Sequence, residues 1–157
     1  LAGDPATIRW KEHSAVTQGV EAEGAGEISA ADRRAIEWDC ARLINLYAQL
    51  NDAARWEEVA ALYAPDGLMT RPTAPDAPIV GRDAILAAFQ ARPPRVTCHI
   101  SSNIVVTVES AHRAHGSSAM LLFTAADAPP LVGGFRDIFV LTEDGWRFAE
   151  RRGSLAF

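Results

Sequence analysis

No stretch of the sequence stays apolar for the roughly 20 residues that a helix needs to cross a bilayer. Clustered lysine and arginine are missing too. The formal net charge is −5, which argues against nucleic acid or an acidic membrane surface as partner. Cysteine is scarce: only Cys40 and Cys98 occur, and neither belongs to a Cys-x-x-Cys pair. Cys40 falls on the apolar side of a helical pattern, so buried free thiols are expected rather than a disulfide. The sequence has no phosphate loop, no dinucleotide-binding glycine fingerprint and no Gly-x-Ser-x-Gly elbow. His112 and His115 are close together, but they sit in the polar turn SAHRAHG with no further ligands nearby, so no metal site is expected. Leu1 to Glu27 lacks a basic region followed by an apolar core; no signal peptide is read, and a cytoplasmic protein is expected.

What is present suits one domain with one core: 157 residues, 48% hydrophobic and 22% charged. Residues 1–28 are rich in Ala, Gly and Glu with little periodicity, and read as an arm or linker that packs through Ile8 and Trp10 and carries His13. Ser29 then offers an N-cap, with Asp32 three residues on. From there Ile36, Cys40, Leu43, Ile44 and Tyr47 recur at intervals of three and four, which predicts an amphipathic helix of about five turns. Polar Asn51 and Asp52 interrupt that pattern before a second helix from about Ala54 to Tyr63, which carries Trp56. A third, Arg82 to Arg92, buries Ile85, Leu86 and Phe89 and is stopped by Pro93-Pro94. Leu68 to Thr70 and Ile79-Val80 are short strand candidates around Arg71 to Pro78, whose three prolines predict a loop barred from a central sheet. Beyond Pro94 come four strands: Val96–Glu109, Ser117–Ala125, Val132–Thr142 and Trp146–Phe157, the last two joined by the turn Glu143-Asp144-Gly145. Helices first and meandering antiparallel strands afterwards predict an α+β fold, with the helices on one face of a curved sheet.

Three places carry ionisable residues that could do chemistry. His99 stands in the polar run Thr97-Cys98-His99-Ile100-Ser101-Ser102-Asn103 at the head of the most apolar strand. Strand alternation puts His99, Ser101 and Asn103 on one face, as a pocket lining would be, with a catalytic and a structural histidine both open. On the last strand, Arg151 shares a face with Arg147 and Ala149, and Arg152 with Trp146 and Phe148. An interior arginine there would pair with Asp137 or Glu150, or be held for substrate. At the helix joint, Tyr47 and Asn51 lie one turn apart while Asp52 is rotated away. Tyr47 and Asp52 share a pocket only if the helix ends or bends between Leu50 and Asp52. In a straight helix Asn51 takes the pocket, and Asp52 is left to cap the Trp56 helix.

Taken together the motifs resemble the SnoaL-like branch of the NTF2-like superfamily, over about Ser29 to Phe157. They are Ala35-Ile36, Tyr47 with Asp52, the Trp56 helix ending in Leu62-Tyr63-Ala64-Pro65-Asp66-Gly67, and Gly81-Arg82-Asp83-Ala84-Ile85. His99-x-x-x-Asn103, the Asp137 strand and Gly145-Trp146-Arg147-Phe148-Ala149-Glu150-Arg151 complete the set. The resemblance implies an NTF2-like α+β cone over residues 29–157, with three helices on a mostly antiparallel sheet. Scytalone dehydratase, bile-acid 7α-dehydratase and hexachlorocyclohexane dehydrochlorinase in that branch use an Asp–His pair that matches Asp52 and His99. The bile-acid enzyme has a tyrosine matching Tyr47, and the dehydrochlorinase an arginine matching Arg151. Asn51 departs from the apolar residue common beside the aspartate. By this resemblance His99 removes a proton from carbon, Asp52 stays ionised and holds the imidazole tautomer, Tyr47 bonds a substrate oxygen, and Arg151 stabilises developing negative charge. Asn51, Asn103, Trp56 and Asp137 are expected around the substrate. The implied function is a cofactor-independent, dehydratase-type lyase or an isomerase, acting on a hydrophobic oxygenated molecule of polyketide, steroid or terpenoid type. The alternative is a non-catalytic ligand-binding or structural subunit. Neither a metal nor an organic cofactor is implied; a homodimer or homotrimer is.

Overall fold

The computed structural model describes residues 28–157. The expected arm, with Ile8, Trp10 and His13, lies outside the described residues as far as residue 27. Helix α1, Ala30–Asp52, starts at the expected cap: Ser29 Oγ accepts the Asp32 N–H at 3.1 Å. Its buried stripe is Ile36, Cys40, Leu43, Ile44, Tyr47 and Asn51, the helical spacing of one face. Cys40 is a buried free thiol, pushed up to about 12 by burial and by Asp39 and Asp137. Cys98 is also free, but exposed.

The end of α1 is a Schellman turn. Arg55 N–H reaches Leu50 O and Ala54 N–H reaches Asn51 O, both at 3.0 Å. That arrangement needs a left-handed residue after the cap, and here Ala54 takes it at φ 53°. An alanine methyl is crowded in that conformation, whereas glycine is not. Ala54→Gly should therefore raise stability by about 1 kcal/mol in urea titration; an unchanged or lower midpoint would count against this account of the helix end.

Helix α2, Trp56–Ala61, is shorter than the sequence suggests because Tyr63 has already entered the sheet, in register with Phe148. Strands β1, Tyr63–Arg71, and β2, Ala74–Val80, form a hairpin, and Gly81 at φ 90° turns the chain into α3, Arg82–Gln90. Pro75 and Pro78 thus lie in a strand after all, but β2 is the sheet edge, where a missing N–H costs no ladder bond. The other four strands are β3 (Cys98–Ser110), β4 (Arg113–Phe123), β5 (Leu131–Thr142) and β6 (Gly145–Leu155). The sheet runs β2-β1-β6-β5-β4-β3, antiparallel throughout except for the β1–β6 pair, so it is a curved, open, mixed sheet. Helix α1 crosses one face, against β3, β4 and β6, over a core that includes Ile44, Val59, Tyr63, Met69, Ile85, Phe89, Phe139 and Phe148. Among the described residues no helix is long and apolar enough to cross a membrane.

Two β-bulges decide which side chains face the helices. In β3 the register slips between Ser102 and Val105, with Asn103 left-handed at φ 50°. The extra residue reverses the alternation. His99 and Ser101 point inward as expected, but Asn103 turns to the outer face and Ile104 turns in. In β6 Ile138 pairs with Glu150 and Phe139 with Phe148, which leaves Ala149 unpaired. Arg151 consequently shares the inner face with Trp146 and Phe148 instead of with Arg147, and is fully buried.

Candidate active site

Asp52 and His99 meet where the last turn of α1 lies against the start of β3. Asp52 Oδ1 accepts from His99 Nδ1 at 2.6 Å and from the Thr97 hydroxyl at 2.8 Å. Oδ2 accepts the backbone N–H of His99 at 2.7 Å. Three donors therefore fix one carboxylate, two of them from the residue it orients. The helix does not bend to achieve this. It runs unbroken to Asp52, and β3 brings His99 to the flank onto which Asp52 projects. Of the two alternatives the straight helix holds, so Asn51 and not Asp52 shares the cavity wall with Tyr47. Asp52 does not cap α2 either; Arg55 holds that position and no side chain caps it.

His99 lines a cavity of about 250 Å³ between the helices and the sheet. With Nδ1 committed to Asp52, Nε2 is the ring nitrogen left for the cavity. Tyr47 and Asn51 line the same space from α1, as expected of a straight helix. Its floor is apolar, from Met120 and Leu122 of β4, Leu131 and Phe135 of β5 and Leu155 of β6. Its rim comes from two connections. The β1–β2 hairpin contributes Arg71, Pro72 and Thr73, and the segment between α3 and β3 contributes Arg92, Pro93 and Arg95. Pro72 can close over β6 because Gly153 lies beneath it; a Cβ there would come within 2.7 Å of the proline ring.

Arg92 was not singled out by sequence reasoning and is central to the site. It donates to Asn51 Oδ1 at 3.1 Å and lies over the Phe89 ring at 4.1 Å and the Trp56 ring at 5.9 Å. Asn51 is fixed in turn by its donor bond to Tyr47 O at 2.9 Å. Burial, then repulsion from Arg71 and Arg95, hold Arg92 below the ordinary guanidinium range, while Tyr47 and Tyr63 oppose them. Trp56 does not line the cavity; it stacks on Phe89 and backs Arg92. The one signal in the sequence was the spacing Phe89 to Arg92, one helical turn, which permits an arginine to stack on an aromatic ring.

Arg151 and Asp137 occupy each other beneath the cavity. Arg151 Nη1 donates to Asp137 Oδ2 at 2.6 Å, with both side chains inaccessible. The guanidinium lies 3.8 Å from the Phe135 ring centre, 4.4 Å from that of Tyr47 and 4.8 Å from that of Phe148. Burial pushes the Asp137 carboxyl up to about 6 against the pull of Arg151. Neither residue lines the cavity, so the structure separates them from direct contact with a ligand there. Asn103 is on the opposite face of the sheet. His115 is exposed on that side and bonds Glu109 at 2.9 Å. No cluster of three or more His, Cys, Asp or Glu able to hold a metal occurs among the described residues.

Helices laid across one face of a curved mixed sheet, with a cavity between the two layers, are the NTF2-like architecture. A model of the SnoaL-like domain matches residues 29–152; the chain belongs to that family. A protein from Novosphingobium aromaticivorans, provisionally named a scytalone dehydratase, is 26% identical with a TM-score of 0.68, over 80% of this chain and 87% of its own. An NTF2-like protein from the same species is also 26% identical, with a TM-score of 0.67, over 80% of this chain and 82% of its own. A type 2 hexachlorocyclohexane dehydrochlorinase has a TM-score of 0.72 over 82% of this chain and 90% of its own, but at 16% identity it speaks for the fold alone. No curated protein matches the sequence.

Proposed function

We propose that this protein is a lyase of dehydratase type, or an isomerase, that acts on a small hydrophobic oxygenated molecule by removing a proton from carbon. The observation that carries this reading is His99 on the cavity wall with Nδ1 held by Asp52 at 2.6 Å. An imidazole fixed in that way presents a basic Nε2, and its protonated form is stabilised by the carboxylate behind it. Nε2 takes a proton from the carbon next to a carbonyl, and the electron pair moves onto the carbonyl oxygen. Collapse of that enolate expels a hydroxyl group from the neighbouring carbon, which leaves as water with the proton His99 had taken. Return of the proton to a different carbon gives isomerisation instead. Acid–base groups alone suffice for either course.

Tyr47 is the donor for the substrate oxygen in this reading, and Asn51 holds Arg92 beside it. Arg151 and Asp137 act from behind, by fixing the rings of Tyr47 and Phe135. At about 250 Å³ the cavity is just below the usual range for ligand sites, which favours a substrate of one or two rings over a steroid. The outer face of the sheet, with Ile100 and Val105 exposed, is assigned to a second copy of the chain.

The test is solvent exchange. The protein is incubated in D2O with a set of β-hydroxy cyclic ketones, and α-carbon deuteration and conjugated product are followed by NMR and ultraviolet absorbance. Enzyme-dependent deuteration of at least one compound is expected. Ligand binding with no exchange or product across the set would sink the enzyme reading in favour of a binding domain.

A further inference from the structure

Three arginines rim a cavity whose lining contains no carboxylate. Arg71, Arg92 and Arg95 line it, yet the other lining residues are neutral or apolar apart from His99. No Asp or Glu among the described residues makes an ion pair with any of the three. Asp52, behind His99, is taken by His99 and Thr97. Arg92 rests on a neutral partner, Asn51, and Arg71 on the backbone oxygen of Ala88 at 2.9 Å. Arg71 Nε is buried without any partner. This concentration of positive charge runs against a chain whose net charge is −5. Like charges gathered at a half-desolvated rim repel one another, and the arrangement is relieved by an anion. A guanidinium presents a flat fork of donors that fits a carboxylate in two-point contact.

We propose that the cavity takes a carboxylate-bearing ligand, its acid group held at the rim by Arg71, Arg92 and Arg95 and its one- or two-ring apolar body seated on Met120, Leu122, Leu131, Phe135 and Leu155. The inference rests on the reading of this cavity as the substrate site and narrows the class of molecule that enters. An anchored acid fixes the ligand's orientation, so that one C–H is offered to His99 Nε2. The oxygen on which enolate charge develops is a separate group of the ligand and is left to Tyr47.

The experiment uses the full chain and two probes of equal shape, 2-naphthoate and 2-naphthamide, in isothermal titration calorimetry at neutral pH. Neither probe has a removable α-proton or a leaving group, so the result is independent of turnover. The acid should bind at least about tenfold more tightly than the amide. That preference should fall below about threefold in Arg92→Gln. Arg95→Gln, at an exposed position that tolerates change, should also reduce it. Equal affinities, binding of neither probe, or a preference that both variants leave intact would overturn the proposal. Exchange of neutral ketones without acid preference would leave the lyase reading standing and remove this one; acid preference without exchange would do the reverse.

Discussion

Asp52→Asn should retain the fold and lose about 10³–10⁴ in turnover, measured as kcat for α-deuteration of a responsive ketone. The reason lies in the three donors around the carboxylate. An amide has one acceptor oxygen and one donor nitrogen, while both Asp52 oxygens now accept. If the amide nitrogen takes the Oδ2 place, it faces the backbone N–H of His99, a donor that cannot turn away. If it takes the Oδ1 place, the Thr97 hydroxyl can rotate, and the imidazole must move its proton to Nε2 to present Nδ1 as acceptor. The second arrangement is the only satisfied one, and it removes the lone pair that faces the cavity. His99→Gln should be as inactive as Asp52→Asn, and the double variant no worse than either, since the two groups act as a unit. Full-length protein with wild-type circular dichroism and kcat within threefold of normal in Asp52→Asn would remove His99 from the role of base.

The elements of this fold were legible because their signals are local. Ser29 caps α1, the stripe from Ile36 to Tyr47 buries one face, and the strands beyond Pro94 lie within a few residues of where β-branched runs put them. The Asp52–His99 pair comes from the family pattern, whereas helix geometry alone argues for Asn51; in the structure Asp52 bonds His99 and Asn51 lines the cavity. What misled was alternation carried through a bulge. Asn103 and Arg151 were each assigned a face by counting in twos, and one unpaired residue in β3 and another in β6 reversed both assignments. A bulge is a long-range property, set by how two strands must curve to cover a helix layer, and no residue type encodes it reliably. Asn103 was the nearest thing to a local sign, since asparagine tolerates a left-handed backbone better than most residues. The arginine rim escaped for a different reason. Arg71, Arg92 and Arg95 come from two separate connections, and only the closure of the sheet around α1 brings them to one opening.

Arg151→Met should destabilise the protein by about 3–5 kcal/mol at pH 8, and the deficit should shrink as the pH falls. Arg151 is the counter-charge of Asp137, and each is inaccessible to water. Removing the guanidinium leaves a fully buried carboxylate with nothing to neutralise it. In the wild type burial already pushes the Asp137 carboxyl up to about 6 against the attraction of Arg151. Without that attraction it moves higher still. A carboxyl whose folded value is raised above its unfolded one holds its proton more tightly when folded. Its contribution to stability is therefore complete below the unfolded value and is lost as the pH rises through the folded one. The variant should accordingly recover most between pH 8 and pH 5.5, where Asp137 becomes neutral. Asp137→Asn combined with Arg151→Met should regain much of the loss at pH 8, because a neutral pair no longer buries an unpaired charge. Urea titrations of the two variants at both pH values read the effect directly. A deficit that does not change with pH, or a double variant no better than the single, would show that Arg151 stabilises the fold chiefly by filling space between the rings. In both cases the guanidinium lies against the rings of Tyr47 and Phe135, which line the cavity.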